Sequence, residues 1–213
     1  MPLSLLASAQ SEFLPEVNVF GKLNSTVRVD FQAKQTREDG DPTQAEIGPS
    51  VDFLVKPLAQ LRRLFDRDLD DAKSRALSLS VGYRFVPSPD SQPVNRAIFA
   101  ATSNFPLKGG VLIADRNRGE LNFQAGDLTW RYRNRLTLER PLRLRFRPTP
   151  YGSAEFYYDS KYHKWSSTAL YAGCRFSFGK RTQIDPYYEH ENNTGKPPNK
   201  QVNALGLILN LYF

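Results

Sequence analysis

The sequence predicts an all-β protein, an antiparallel up-and-down transmembrane β-barrel of about 10–12 strands, and three observations support this fold class. Apolar and polar residues alternate along most of the chain with the period of two that is typical of strands. The polar faces of these strands carry arginines and carboxylates rather than the small uncharged residues of a simple solvent face. The last segment, VNALGLILNLYF, alternates in the same way and ends on an aromatic residue.

The composition allows a membrane barrel and excludes several other classes. The 213 residues suffice for one domain, with 40% apolar residues, 24% charged residues and a net charge of +7. No apolar run approaches the roughly 18–20 residues of a membrane-spanning helix, but barrel strands alternate and do not produce such runs. The single cysteine, Cys174, excludes an intramolecular disulfide framework and a cysteine-based zinc cluster, and we expect it to face lipid as an apolar filler.

The amino-terminal residues resemble the end of an export signal. Ala7-Ser8-Ala9 fits the small-residue rule of a signal-peptidase site, and leucines precede it. No basic segment stands before these leucines. We therefore expect 1–9 to be the remnant of a signal peptide and 10–213 to be a single outer-membrane barrel domain, with a disordered polar start as the alternative.

Turn signals divide the chain into candidate strands. Bacterial single-chain barrels have an even number of strands, so we expect one of eleven candidates to be wrong, either the first or one at the proline-interrupted region 140–150. Both chain ends are then expected in the periplasm. The candidates lie near 13–22, 25–36, 43–56, 74–86, 94–105, 110–123, 127–139, 149–159, 166–178, 182–191 and 201–213.

One segment departs from the strand pattern. In PLAQLRRLFDRDLDDAKSRA (57–76), the leucines and Phe65 recur at nearly helical spacing with Arg and Asp between them. This pattern predicts a short helix at about 58–70 in a connection. A helix that covers the barrel mouth, or an irregular loop, is favoured over an interfacial membrane contact.

Charged residues at alternate positions of neighbouring strands predict a polar network in the lumen. In a closed interior each guanidinium can bridge a carboxylate, and mixed signs avoid buried charge without a partner. The lumen is therefore expected to be occluded. The predicted network is Arg116, Arg118, Glu120, Arg131, Arg133, Arg135, Glu155, Arg175, Asp185 and Glu189.

The aromatic residues and the last strand support a membrane location. Rings near strand ends are typical of the girdles at the two membrane interfaces, and the candidates are Tyr151, Phe156, Tyr157, Tyr158, Tyr162, Trp165, Tyr187, Tyr188, Tyr212 and Phe213. The final strand is interpreted as an assembly signal, because outer-membrane barrels typically end in this way. Its residues are Leu205, Leu207, Leu209, Leu211 and Phe213. The expected partners are outer-membrane lipid and the barrel-assembly machinery, and the expected state is a monomer in the bacterial outer membrane.

Several segments also resemble a known family. FLPEVNVFGKLN, DDAKSRALSLSVGYRF, DRNRGEL, RYRNRLTLERPL, PYGSAEFYYDSKYHKW and IDPYYEHEN are similar to the outer-membrane β-barrel family of unknown function 2490. The resemblance covers about residues 12–213. It implies a barrel in the outer membrane and no established activity, so it assigns no functional residues.

Two other functions stay open at this point. The apolar faces could form the core of a soluble antiparallel β-barrel or sandwich that acts as a binding protein. An outer-membrane lipid hydrolase would need a Ser/His pair, but His163 and His190 have no serine two residues away, so no catalytic residue is predicted.

No cofactor, metal or nucleic-acid site is predicted. Strand alternation places Glu189 and Glu191 on the opposite face from His190, so the three cannot readily share an ion. Arg143, Arg145 and Arg147 would share one face of a strand, but the arginines and aromatic residues of 128–138 fall on opposite faces. Binding of single-stranded nucleic acid needs stacking and phosphate contact on the same face.

Overall fold

Eleven β-strands close into a barrel in the computed structural model of the chain. The structure describes residues 9–55, 57–66, 68–89, 91–195 and 197–213, so residues 1–8 of the expected signal remnant lie outside the described residues. The strands are β1 (Ala9–Lys22), β2 (Val27–Glu38), β3 (Asp41–Leu54), β4 (Leu77–Ser88), β5 (Ser91–Leu107), β6 (Val111–Gln124), β7 (Asp127–Glu139), β8 (Thr149–Asp159), β9 (Lys164–Phe178), β10 (Thr182–Asn193) and β11 (Lys200–Tyr212).

The barrel closes through a parallel pair. Each strand pairs antiparallel with the next one in the chain, but β1 pairs parallel with β11, from Ala9 opposite Gln201 to Phe20 opposite Tyr212. All eleven candidate strands are therefore confirmed, and the expectation of an even number is wrong, because parallel closure leaves no unpaired edge. The described residues do not begin and end on one side as expected, since an odd number of strands places Ala9 and Phe213 at opposite ends of the barrel.

We name the two ends after these residues. The Phe213 end carries the connections 23–26, 55–76, 108–110, 140–148 and 179–181, and the Ala9 end carries 39–40, 89–90, 125–126, 160–163 and 194–199. The turns Asp39-Gly40 and Ala125-Gly126 have positive φ at both positions, which matches the twist of the strands that they join. The arginine-rich segment 140–148, considered above as a strand, is a connection.

The barrel is apolar outside and charged inside. Outward residues such as Phe99, Leu136 and Leu205 are exposed, whereas the inward residues Glu120 and Glu155 are buried. This is the reverse of a soluble barrel or sandwich, whose apolar faces pack together in the interior. Among the described residues, no helix is long and apolar enough to cross a membrane.

One polar cluster interrupts the outward apolar belt. The Asn134 amide donates to Asp115 at 2.7 Å, the Asn117 amide donates to Asp115 at 3.1 Å, and the Tyr132 hydroxyl donates to Asn117. Asn134 shares the outward face of β7 with Leu136 and Leu138, and its amide partners Asp115 and Asn117 belong to β6. Pairing between these groups lowers the cost of placing them in apolar surroundings.

The connection 55–76, which we call the plug segment, folds against the inner wall at the Phe213 end. It contains α1 (Ala59–Leu64) and a 3-10 turn at Asp71–Ser74, so the helix is shorter than the predicted 58–70. Leu61 and Phe65 are buried together with Leu112 of β6. The Asp70 carboxylate accepts from the backbone N–H of Ala72, a local bond that favours a turn over a longer helix.

Candidate functional site in the barrel lumen

A cavity of about 790 Å³ occupies the lumen. Its lining extends from Tyr162 and Asn193 at the Ala9 end to Asp70 and Lys73 of the plug segment. Most of the lining side chains are polar or charged. The plug segment is therefore the floor of a polar cavity, and the lumen is the candidate functional site.

Glu155 is the most heavily bonded carboxylate of the lumen. It is 0% exposed and lies 2.6 Å from Arg135, 3.0 Å from Arg133 and 3.3 Å from Arg116. The hydroxyls of Tyr157 and Tyr171 also donate to its Oε2, at 2.8 and 3.0 Å. Charged donors on both oxygens satisfy a buried carboxylate that would otherwise be very costly.

Glu120 is a second buried carboxylate that joins the same network. Its side chain lies 2.8 Å from Arg118, 3.1 Å from Arg133 and 3.7 Å from Arg96. Arg133 thus connects Glu120 with Glu155. Arg96 extends the chain of ion pairs to Glu46 of β3, at 2.9 Å.

Inward tyrosines fill the side of the lumen formed by β8, β9 and β10. Tyr157, Tyr171 and Tyr187 belong to one buried cluster, and Tyr151 packs against it. Arginines lie over their rings, with Arg135 4.1 Å from the Tyr171 centroid and Arg133 4.7 Å from that of Tyr157. The girdle assignment of Tyr151, Tyr157 and Tyr187 is therefore wrong, because they alternate in phase with Glu155 and Glu189 and point inward.

Two glycines make room for this layer. Gly206 of β11 lies opposite Tyr187 of β10, and a Cβ on Gly206 would come within 2.0 Å of the tyrosine ring. Gly173 of β9 lies opposite Tyr151 in the same way, and a Cβ there would meet the ring at 2.6 Å. An aromatic ring over a cross-strand glycine pins the register of the pair.

Ion pairs hold the plug segment to the wall. Lys73 lies 3.0 Å from Asp68 of its own segment and 3.3 Å from Glu139 of β7. On the other side of the lumen, Arg28 of β2 lies 2.6 Å from Asp70 of the plug segment, and it lies 2.7 Å from Asp52 of β3. All these groups are largely shielded from water, so removing one leaves its partner uncompensated.

The charges of the plug segment are stabilised in their ionised forms. Burial alone would raise the pKa of Asp70, but the neighbouring Arg28 and Lys73 charges outweigh it and hold that pKa below its usual value. Burial and the Arg175 charge favour the neutral form of Lys73, yet Asp68, Glu139 and Asp70 raise its pKa above the usual value.

The predicted network residues fall into two groups. Arg116, Arg118, Glu120, Arg133, Arg135 and Glu155 form the connected cluster described above. The other four have separate contacts. Arg131 pairs with Asp159 at 3.0 Å, Arg175 pairs with Glu139, Asp185 accepts from the Tyr151 hydroxyl at 3.1 Å, and Glu189 points inward beside the tyrosines.

Sequence reasoning missed several partners of these residues. Asp159 and Glu139 could have been found, because they continue the alternation of Glu155 in β8 and of Arg135 in β7. Arg28 of β2 and Arg96 of β5 lie in phase with the inward residues Asp30 and Ile98, so alternation indicates them as well. Strand alternation could not indicate Lys73, because this residue lies in the 3-10 turn of the plug segment and outside any strand.

The lumen is electrically polarised across its width. Arginines concentrate on β4 to β7, whereas carboxylates on β1 and β10 accept from neutral donors. Glu16 accepts from Asn18 and Gln32, at 2.8 and 2.7 Å, and Glu191 accepts from Ser167 at 2.5 Å. Such a field orients any dipolar solute that enters the cavity.

The two histidines lie away from this cavity. His163 has positive φ in the 160–163 turn, and His190 of β10 has its Nδ1 2.8 Å from Asn203. Neither belongs to the cavity lining. Outward Cys174 on β9 lies between Leu170 and Phe178 in the apolar belt.

Two solved structures align with most of the chain at low identity. The beta domain of the Bordetella autotransporter BrkA is 12% identical with a TM-score of 0.42, and the alignment covers 89% of this chain and 83% of that one. The siderophore receptor PirA from Pseudomonas aeruginosa is 15% identical with a TM-score of 0.31, over 82% of this chain and 34% of that one. No curated protein matches the sequence.

A family model matches more than half of the chain. The match spans residues 71–203, from the 3-10 turn of the plug segment into β11. The match therefore includes the buried carboxylates Glu120 and Glu155 and most of the barrel wall. The chain belongs to the DUF2490 family, whose description is a protein of unknown function.

Proposed function

We propose that the chain is an integral barrel of the bacterial outer membrane whose lumen is open to small solutes from the Ala9 end and closed to their passage at the Phe213 end. The observation that carries this proposal is the plug segment. Its residues bond to inward side chains of several strands, since Asp70 pairs with Arg28, Lys73 pairs with Glu139, and the carbonyls of Ala72 and Arg75 accept from Asn104.

The distribution of polar groups supports the membrane location. Apolar side chains cover the outer face of the barrel and charged side chains line the inner one, as in outer-membrane barrels. The proposal includes export from a Gram-negative cytoplasm by a signal peptide, insertion by the barrel-assembly machinery and a monomeric state. It assigns the barrel no catalytic step.

Cell fractionation tests the location. The protein should appear in the outer-membrane fraction, and its gel mobility should change on heating, because a folded barrel migrates differently from the unfolded chain. Deletion of Phe213 should reduce the inserted fraction, with Phe213→Tyr, which keeps a terminal aromatic ring, as the matched control. A product that stays in the soluble fraction without a heat-dependent shift would contradict the proposal.

Planar-bilayer conductance tests the closure. The wild-type barrel should show no sustained open channel, whereas replacing 57–75 by a short Gly/Ser turn should open one. The double variant Asp70→Asn, Lys73→Met keeps the full chain length and should increase channel openings if the deletion fails to fold. Arg131→Gln, at the Ala9 end, should stay closed. A wild-type barrel that conducts as well as the deletion variant would rule out a closed lumen.

A further inference from the structure

The exposed cations of the barrel concentrate at the Phe213 end. Among the described residues, ten exposed lysines and arginines lie in or directly beside its connections, and Asp66 is the one exposed carboxylate side chain of these connections. In the part of the Ala9 end that the structure describes, the exposed charges balance, with Asp39, Asp41 and Asp127 against Lys161, Lys164 and Lys200. We call the ten cations the basic rim: Lys22, Arg62, Arg63, Lys108, Arg140, Arg143, Arg145, Arg147, Lys180 and Arg181.

Apolar side chains interleave with the basic rim at the edge of the outward belt. In the connection 140–148, Leu144 and Phe146 are 63% and 50% exposed between the arginines. The Phe146 carbonyl accepts from the Ser177 N–H at 3.1 Å, and its ring lies 5.7 Å from that of Phe178. These contacts fasten the connection to the end of β9, at the height where lipid headgroups meet an apolar belt.

A recess lies between this connection and the plug segment. It has a volume of about 310 Å³, with Leu64, Phe65 and Leu142 on its apolar side and Arg140 and Arg143 among its polar residues. Asp66 and Asp68 also line it, and Asp68 is paired with Lys73. The recess thus combines an apolar surface with guanidinium groups. A phospholipid has matching parts, since its acyl chain is apolar and its phosphate is negatively charged.

We propose that the basic rim binds the phosphate groups of anionic lipids in the leaflet that surrounds the Phe213 end. The inference rests on the membrane location proposed above and adds the headgroup chemistry and its position on the barrel. Arginine forks match phosphate oxygens in a bidentate manner. Each basic residue near an anionic lipid surface strengthens binding by roughly 5-fold, so several neighbouring cations produce a strong preference.

Quenching of a single tryptophan by brominated lipids tests this proposal. The reporter carries Phe146→Trp on the basic rim, and Trp130→Phe and Trp165→Phe remove the native tryptophans of the Ala9 end. It is reconstituted in vesicles of phosphatidylcholine that contain brominated phosphatidylglycerol or brominated phosphatidylcholine. We expect a preference for phosphatidylglycerol of about 5-fold or more, which disappears at 1 M NaCl because the screening length falls to about 3 Å.

Two matched triple variants locate the effect. Arg140→Gln, Arg143→Gln, Arg145→Gln in the reporter should remove most of the preference. The control triple removes the same amount of charge at the Ala9 end and should keep the preference for phosphatidylglycerol. It combines Lys161→Gln, Lys164→Gln and Lys200→Gln. Equal losses in both triples would overturn the proposal.

Further arms separate the remaining outcomes. If inorganic phosphate reduces the preference more than NaCl of equal ionic strength, the basic rim recognises the phosphate group itself, which supports the proposal. Efficient quenching with no preference between the two lipids overturns the proposal while leaving the membrane location intact. A reporter that no brominated lipid quenches would instead contradict the membrane location itself.

Discussion

The two ends of the barrel differ in the length of their connections and in their exposed charge. At the Phe213 end a connection of 22 residues, 55–76, folds into the lumen and is held by buried ion pairs, while exposed cations surround it. At the Ala9 end the connections are short and the exposed charges are balanced. The difference follows from one connection, 55–76, that is long enough to carry its own charged side chains into the lumen.

The largest expected difference between the ends is in the strength of their ion pairs. Arg28→Gln should lower the free energy of unfolding by about 3–5 kcal/mol, because Asp52 and Asp70 lose their buried cation. The Arg28 side chain is 8% exposed, whereas that of Arg131 at the Ala9 end is 35% exposed. Arg131→Gln should therefore cost about 0–1 kcal/mol.

Urea unfolding of both variants in lipid vesicles measures this difference. The same substitution is made in both cases, so side-chain volume and helix or strand propensity do not distinguish them. Equal losses of stability would mean that the plug segment is not held by its buried pairs.

A smaller effect is expected where the tyrosine layer meets the wall. Gly206→Ala should lower the free energy of unfolding by about 1–3 kcal/mol, because the new methyl group collides with the Tyr187 ring. Gly152→Ala is the matched control, since its Cβ would meet nothing closer than 3.8 Å. Comparison of their urea midpoints checks the prediction, and an unchanged Gly206→Ala barrel would show that the ring can move aside.

The smallest expected effect is the change of folding stability with pH that Asp70 and Lys73 of the plug segment cause. The pKa of Asp70 is lowered in the folded barrel, so its stabilisation is fully present above about pH 3.9 and is lost as the pH falls through the lower folded pKa. The pKa of Lys73 is raised, so its stabilisation is present below about pH 10.4 and is lost as the pH rises through the folded pKa.

Difference measurements isolate these two groups from the other titrating residues. The stability of the wild-type barrel minus that of Asp70→Asn should shrink below about pH 3.9, and the difference from Lys73→Met should shrink above about pH 10.4. Differences that stay constant across the pH range would show that neither charge is coupled to folding.

Strand positions were readable from the sequence to a high degree. The predicted 127–139 and 149–159 are the bounds of β7 and β8, because strong alternation in both strands ends at clear turn residues. The helix in the plug segment was overextended, since leucine spacing continues past Leu64 while the Asp68 and Asp70 side chains bond to local backbone N–H groups. Asn134 lies on the outward, mostly apolar face of β7, and alternation within β7 does not indicate its partner Asp115, which lies on β6.

The amino-acid sequence by itself determined which segments are strands and which side chains share a face, because alternation is a local property of an extended chain. It also determined that arginines and carboxylates would meet inside the barrel. Only the tertiary structure decided the parallel closure of β1 on β11, the convergence of three arginines on Glu155 and the insertion of Lys73 beside Glu139. These contacts depend on strand number, stagger and the path of one connection across the lumen, and no local pattern encodes those quantities.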